Sequence, residues 1–114
     1  MESGIQATPT KRLSHRILPE QVLQAYKNLR MRPVQGKCVQ GNTCCGLVVF
    51  IWDLRKSFID IKRVGHIVDI LMPEGYDRRY LRSWIWGFDG VVLETDHQGY
   101  EDGRDTWLLL QKSF

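Results

Sequence analysis

Two glycine-aromatic clusters in the last third of the chain limit its fold more than any other feature. They are Trp86-Gly87-Phe88-Asp89-Gly90 and Gly99-Tyr100-Glu101-Asp102-Gly103, the second followed by Trp107. In each, glycine stands beside a large ring and a carboxylate. A residue without a Cβ lets another backbone or ring come close, and aromatic rings supply much of the buried area of a small core. The pair predicts two elements packed against each other through a glycine notch. It specifies no reaction.

Helical spacing surrounds this notch. Tyr80, Leu81, Trp84, Ile85 and Phe88 form one broad stripe over Tyr76–Phe88, with Asp77 near its start and Gly87 and Gly90 near its end. Trp86 falls off that stripe, so it faces another element, a partner or solvent. Tyr100, Gly103, Trp107, Leu110 and Phe114 make a seam along Gly99–Phe114. Glu101, Asp102 and Asp105 sit in its first turns, where the helix dipole favours acids. Upstream, Leu18–Arg30 reads as a helix opened by Pro19 and ended before Pro33, which pushes Arg32 to an extended conformation. Ser57–Met72 carries a Val64, Ile67, Val68, Leu71 stripe. Ser57 and Asp60 suit a capping pair, but Gly65 costs about 1 kcal/mol relative to alanine, which favours a start near Arg63.

The run Cys44-Cys45-Gly46-Leu47-Val48-Val49-Phe50-Ile51-Trp52 is apolar on every side and therefore buried. Periodicity does not separate a buried strand from a buried helix. The β-branched residues favour a strand, while Thr43 as N-cap and continuation through Arg55 and Lys56 favour a helix. Residues 34–43 are a polar connection, either a loop or the first arm of a hairpin turning at Gly41-Asn42.

The fold expectation is a mainly α, single compact domain of four to five helices, with an α+β form carrying a small hairpin around residues 34–52 as the alternative. A chain of 114 residues suits one domain with its own core. Residues 1–16 read as a flexible basic arm ahead of a globular unit over 17–114. No apolar run approaches the roughly 18 residues of a membrane span, and no apolar leader opens the chain. A cytoplasmic protein without membrane contact is expected. Residues 1–65 carry 11 Lys/Arg against 4 Asp/Glu, and residues 66–114 carry 5 against 9. A basic half beside an acidic half fits nucleic-acid binding, internal balance or head-to-tail self-association.

Gln21-Val22-Leu23-Gln24-Ala25-Tyr26, Arg32-Pro33-Val34-Gln35-Gly36, Cys45-Gly46-Leu47, Gly87-Phe88-Asp89-Gly90 and Gly99-Tyr100-Glu101-Asp102-Gly103-Arg104 carry a resemblance. Together they resemble a family of small uncharacterised bacterial proteins, of the kind also carried as mobile gene cassettes in integrons. The resemblance spans roughly residues 18–108. It implies a mainly helical domain, tilts the Cys44–Trp52 run towards helix and transfers no activity or catalytic residue. The Gly-Tyr-x-x-Gly arrangement is also faintly similar to ribosome modulation factor.

No catalytic signature stands out. Cys38, Cys44 and Cys45 with His66 or His97 lack zinc spacing, and an odd cysteine count argues against a disulfide framework. A nucleophilic Cys44 or Cys45 at a helix start would need a base such as His66 or His97 beside it. No phosphate-loop motif is present. Arg78, Arg79 and Arg82 around Tyr80 suit either a solvated helix face or nucleic acid. The expected function is a non-enzymatic binding or interaction module, self-associating, with Trp86 at its interface. One alternative is a nucleic-acid- or ribosome-associated protein using the basic half. Another is a small-ligand binder or enzyme with an aromatic-lined pocket. The candidate ligand residues are Tyr80, Trp84, Asp89, Tyr100 and Arg104, with no metal and no cofactor expected.

Overall fold

A computed structural model of the chain describes residues 15–114. The basic arm expected over 1–16 lies outside the described residues except for His15 and Arg16. Five helices and a three-stranded sheet follow: α1 Pro19–Leu29, β1 Arg32–Pro33, β2 Val39–Gln40, β3 Thr43–Cys44, α2 Gly46–Arg55, α3 Val64–Leu71, α4 Arg78–Phe88 and α5 Gln98–Ser113. The mainly α expectation holds, and the small hairpin of the alternative is present beside the helices.

The open question over Cys44–Trp52 resolves by division. β2 and β3 pair antiparallel around a two-residue turn at Gly41-Asn42, with Gly41 at φ 61°. That positive φ is what such a hairpin turn needs. β1 adds to the far edge of β3 in parallel, so the strand order is β1-β3-β2. Thr43 therefore belongs to a strand and caps no helix; its hydroxyl donates to the Gln40 carbonyl. The N-cap of α2 is Cys45. From Gly46 to Trp52 every residue is buried, so packing on all sides outweighs the modest helix cost of Val48, Val49 and Ile51. α3 begins at Val64, as Gly65 suggested. The Ser57/Asp60 capping pair does not form, because residues 57–63 are not helical.

α4 and α5 form the tightest pair. A Cβ added to Gly87 would lie 2.0 Å from the Tyr100 carbonyl oxygen, and one added to Gly103 would lie 2.0 Å from that of Trp84. At Gly99 it would stand 2.4 Å from the Tyr80 carbonyl. The expected notch is thus backbone against backbone. Ser83 and Gly87 on α4, and Gly99 and Gly103 on α5, repeat small residues four apart, the spacing membrane helices use for the same close approach. Tyr80 faces Gly99 and Trp84 faces Gly103, so the two helices run parallel. Residues 89–97 return from the end of α4 to its start.

The core collects on this pair. Trp84 and Phe88 stack with ring centroids 5.2 Å apart, and a Cβ on Gly46 would sit 2.6 Å from the Trp84 ring. α2 therefore approaches α4 through a second glycine. Tyr26, Leu47, Ile51, Ile67, Leu71, Leu81 and Leu110 are fully buried around them. The segment before α1 is tied down too. The Ile17 N–H donates to the Tyr80 hydroxyl at 2.8 Å, and the Trp84 indole N–H donates to the Ile17 carbonyl at 3.0 Å.

Candidate functional site

The sequence-predicted ligand residues do not gather in one place. Tyr80 and Trp84 are core residues, 3% and 0% exposed, with their polar atoms spent on Ile17. Tyr100 is buried, and its hydroxyl donates to the Val91 carbonyl, tying the returning connector to α5. Arg104 is exposed and pairs with Asp105 at 3.6 Å. Asp89 is half-buried and accepts the Gly36 N–H at 2.9 Å, while Gln35 Nε2 donates to the Phe88 carbonyl at 2.8 Å. Asp89 thus anchors the loop between β1 and β2. Burial raises its carboxyl above the ordinary value, partly offset by the Gly36 N–H.

The most highly bonded carboxylate is Asp102, which the sequence assigns to helix-start electrostatics. Asp102 is 3% exposed. It accepts two bonds from Arg16, at 3.1 Å from Nε and 2.8 Å from Nη2, one from Gln98 Nε2 at 2.8 Å, and one from the Tyr80 hydroxyl. Every strong acceptor position is occupied, so this is a clamp on the segment leading into α1. Burial and the Asp102 carboxylate both push the Tyr80 hydroxyl pKa up, fixing it as a donor. A buried acid at that spacing from Tyr80 was the available signal; its agreement with helix-start electrostatics hid it.

Among the described residues, two surface depressions bear on the candidate residues. The larger, about 810 Å³, lies between the hairpin and residues 58–64 and includes Cys38, Trp52, Phe58, Lys62 and Arg63. Its polar groups are largely occupied locally. Lys62 meets Asp60 at 3.6 Å, Trp52 donates to the Ile59 carbonyl at 2.8 Å, and Trp52 and Phe58 meet edge to face at 4.9 Å. The smaller, about 420 Å³, lies where α4 and α5 begin. α4 contributes Arg78, Arg79, Arg82, Ser83 and Trp86, the connector contributes Leu93, Glu94, Thr95 and His97, and α5 contributes Tyr100.

This cleft combines unpaired charge with an exposed ring. Among the described residues, none of its three arginines makes an ion pair, and Glu94 is the one carboxylate in its wall. Trp86 is 46% exposed, as its place off the α4 stripe requires. Tyr80, which the sequence placed among these arginines, points into the core instead. The connector wall is held in place. The Thr95 hydroxyl accepts the His97 N–H at 3.1 Å, and His97 Nδ1 accepts the Gly99 N–H at 3.1 Å as the N-cap of α5. Because α4 and α5 are parallel, the positive ends of both helix dipoles lie at this end of the pair.

Two other candidate chemistries find no support in the geometry. Among the described residues no group of three or more His, Cys, Asp or Glu side chains is placed to hold a metal. Cys44 and Cys45 are buried, and burial raises both thiols, Cys45 to about 12. A helix-start nucleophile needs the opposite shift. Comparison of the chain with protein-family models, with curated proteins and with solved structures finds no match.

Proposed function

We propose that this protein is a non-enzymatic binding module that holds a single-stranded nucleic acid in the cleft beside Trp86. The observation that carries the reading is three arginines that, among the described residues, have no carboxylate partner, set around one half-exposed indole. Trp86 offers a face on which a base stacks, and Arg78, Arg79 and Arg82 supply the charge that phosphates require. The cations come from the acidic half of the sequence, not from the basic half that first suggested a polyanion.

Fluorescence anisotropy with labelled single-stranded RNA and DNA oligonucleotides tests it. With three phosphate contacts, log K should fall against log salt with a slope of about −2. Trp86→Ala should weaken binding by about tenfold, and Arg82→Gln should flatten the slope by about 0.7. No retention at low salt, or tighter binding to an acidic peptide than to either oligonucleotide, removes the reading.

Self-association is a second reading, supported by a specific observation. Val92 is 94% exposed, and Leu93, at 39%, lines the same cleft as Trp86. An apolar strip of this kind suits a copy of the same surface. Sedimentation of wild type and Val92→Asp at micromolar concentration tests it. A monomer in both cases excludes it.

A further inference from the structure

The hairpin brings two of the three cysteines opposite each other. Val39 pairs with Cys44 and Gln40 with Thr43, so the next pair outward is Cys38 with Cys45. One backbone bond joins that pair just beyond the paired ends of β2 and β3, the Cys45 N–H donating to the Cys38 carbonyl at 3.0 Å. Residues opposed across an antiparallel ladder have Cα atoms about 4.5–5.5 Å apart, and a pair joined by a backbone bond at the ladder's end keeps close to that spacing. That separation lies within the range a disulfide spans. Cys44 is next to Cys45 in sequence but points to the other face of the ladder, where it is fully buried. The two thiols sense each other, since Cys38 is among the groups that raise the Cys45 thiol. All three cysteines are free.

Access is uneven. Cys45 is 5% exposed, whereas Cys38 is half-buried and borders the groove of about 810 Å³. A small oxidant reaches Cys38 first. Burial holds both thiols above their ordinary value. Neither is a fast nucleophile at neutral pH, so the pair suits slow oxidation that a resolving neighbour completes, rather than rapid catalysis.

We propose that Cys38 and Cys45 form a reversible disulfide site, closed by a hydroperoxide and reopened by small thiols. In the first step the Cys38 sulfur attacks the terminal peroxide oxygen. The O–O bond breaks, the leaving oxygen takes the Cys38 proton, and Cys38 becomes a sulfenic acid. In the second step the Cys45 sulfur attacks that sulfur. The S–S bond forms, the S–O bond breaks, and hydroxide leaves with the Cys45 proton as water. Two electrons pass from the thiol pair to the peroxide. Reduction by a small thiol runs through a mixed disulfide and returns both protons. The closed bond ties the loop before β2 to the N-cap of α2 and leaves Cys44 as the single thiol.

The full chain treated with hydrogen peroxide should lose two hydrogens, about 2 Da, and regain them with glutathione. Unfolding in guanidinium chloride, blocking free thiols with iodoacetamide, then reducing and labelling with N-ethylmaleimide locates the bond. Lys37 and Arg55 bound one tryptic peptide that holds all three cysteines. The expected pattern is the first label on Cys44 and the second on Cys38 and Cys45. Cys44→Ser should still lose two hydrogens, and Cys38→Ser should lose none. The wild-type labels decide the matter even if a variant fails to fold. Iodoacetamide on Cys38 or Cys45, dimers linked between chains, or oxygen addition without hydrogen loss would each overturn the proposal.

Discussion

Helical glycines have opposite meaning in the α4–α5 seam and in α3. Gly87, Gly99 and Gly103 lie in the seam between α4 and α5, where each added Cβ would meet a carbonyl oxygen of the facing helix at 2.4 Å or less. Gly65 lies in the first turn of α3, with nothing within 4 Å of an added Cβ and no positive φ. In the seam, glycine creates the contact. In α3 it contributes only the entropy it loses on folding. The lesson is that the seam admits no relaxation short of separating two helices, while the rest of the fold packs through side chains that adjust.

The sharpest way to break that contrast is Gly87→Ala or Gly103→Ala. Each should destabilise by about 4 kcal/mol or prevent folding, because the obstructing atoms are backbone rather than a mobile side chain. Urea titration followed by tryptophan fluorescence measures it. A loss under about 1 kcal/mol would mean that the helices stand further apart than described. Next in size is Asp102→Ala, expected to cost about 3 kcal/mol, since it leaves the Arg16 guanidinium and the Tyr80 hydroxyl without their acceptor. Calorimetry of this variant beside Arg16→Ala and the double variant measures the coupling of the two; additive losses would show that they do not act as one network. Gly65→Ala should do the reverse and stabilise by about 0.5 kcal/mol, visible as a small rise in Tm.

The smallest effect expected is at Asp89, and it depends on pH. A carboxyl whose folded pKa is raised binds protons more readily folded than unfolded. Its charge therefore opposes folding above both values, and the opposition fades as pH falls through the raised value. Asp89→Asn keeps an oxygen for the Gly36 N–H and removes the charge. It should stabilise by a few tenths of a kcal/mol at neutral pH, after discounting for solvent screening, and by nothing in acid. Melting curves across pH check the sign; a gain that persists in acid would rule out charge as the cause.

Local physics made much of the fold legible. Pro19 and Pro33 bracket α1, Asp77 caps α4 by accepting the Tyr80 N–H at 3.0 Å, and Gly41-Asn42 turns the hairpin. The notch was visible because glycine beside large rings has few other uses. The division of the Cys44–Trp52 run was not legible, since burial on all sides erases the period that distinguishes strand from helix. The candidate site was read only in part. Trp86 showed itself by leaving the α4 stripe, and the arginines by their charge. Tyr80 and Trp84 read as ligand residues in the sequence because a buried aromatic and a pocket aromatic look alike until the facing element is known. Asp102 escaped because its partner Arg16 is 86 residues away and a local explanation already sufficed.

The parallel course of α4 and α5 has a consequence for chain continuity. The connector that returns along them passes Val92 almost wholly in solvent and reaches α5 chiefly through the Tyr100 hydroxyl. It tethers two helices that are already held by their own backbones. Severing the chain near Val92, or inserting a sequence there, should leave the seam assembled. The protein would then be recoverable from two fragments, the second of which is little more than one helix.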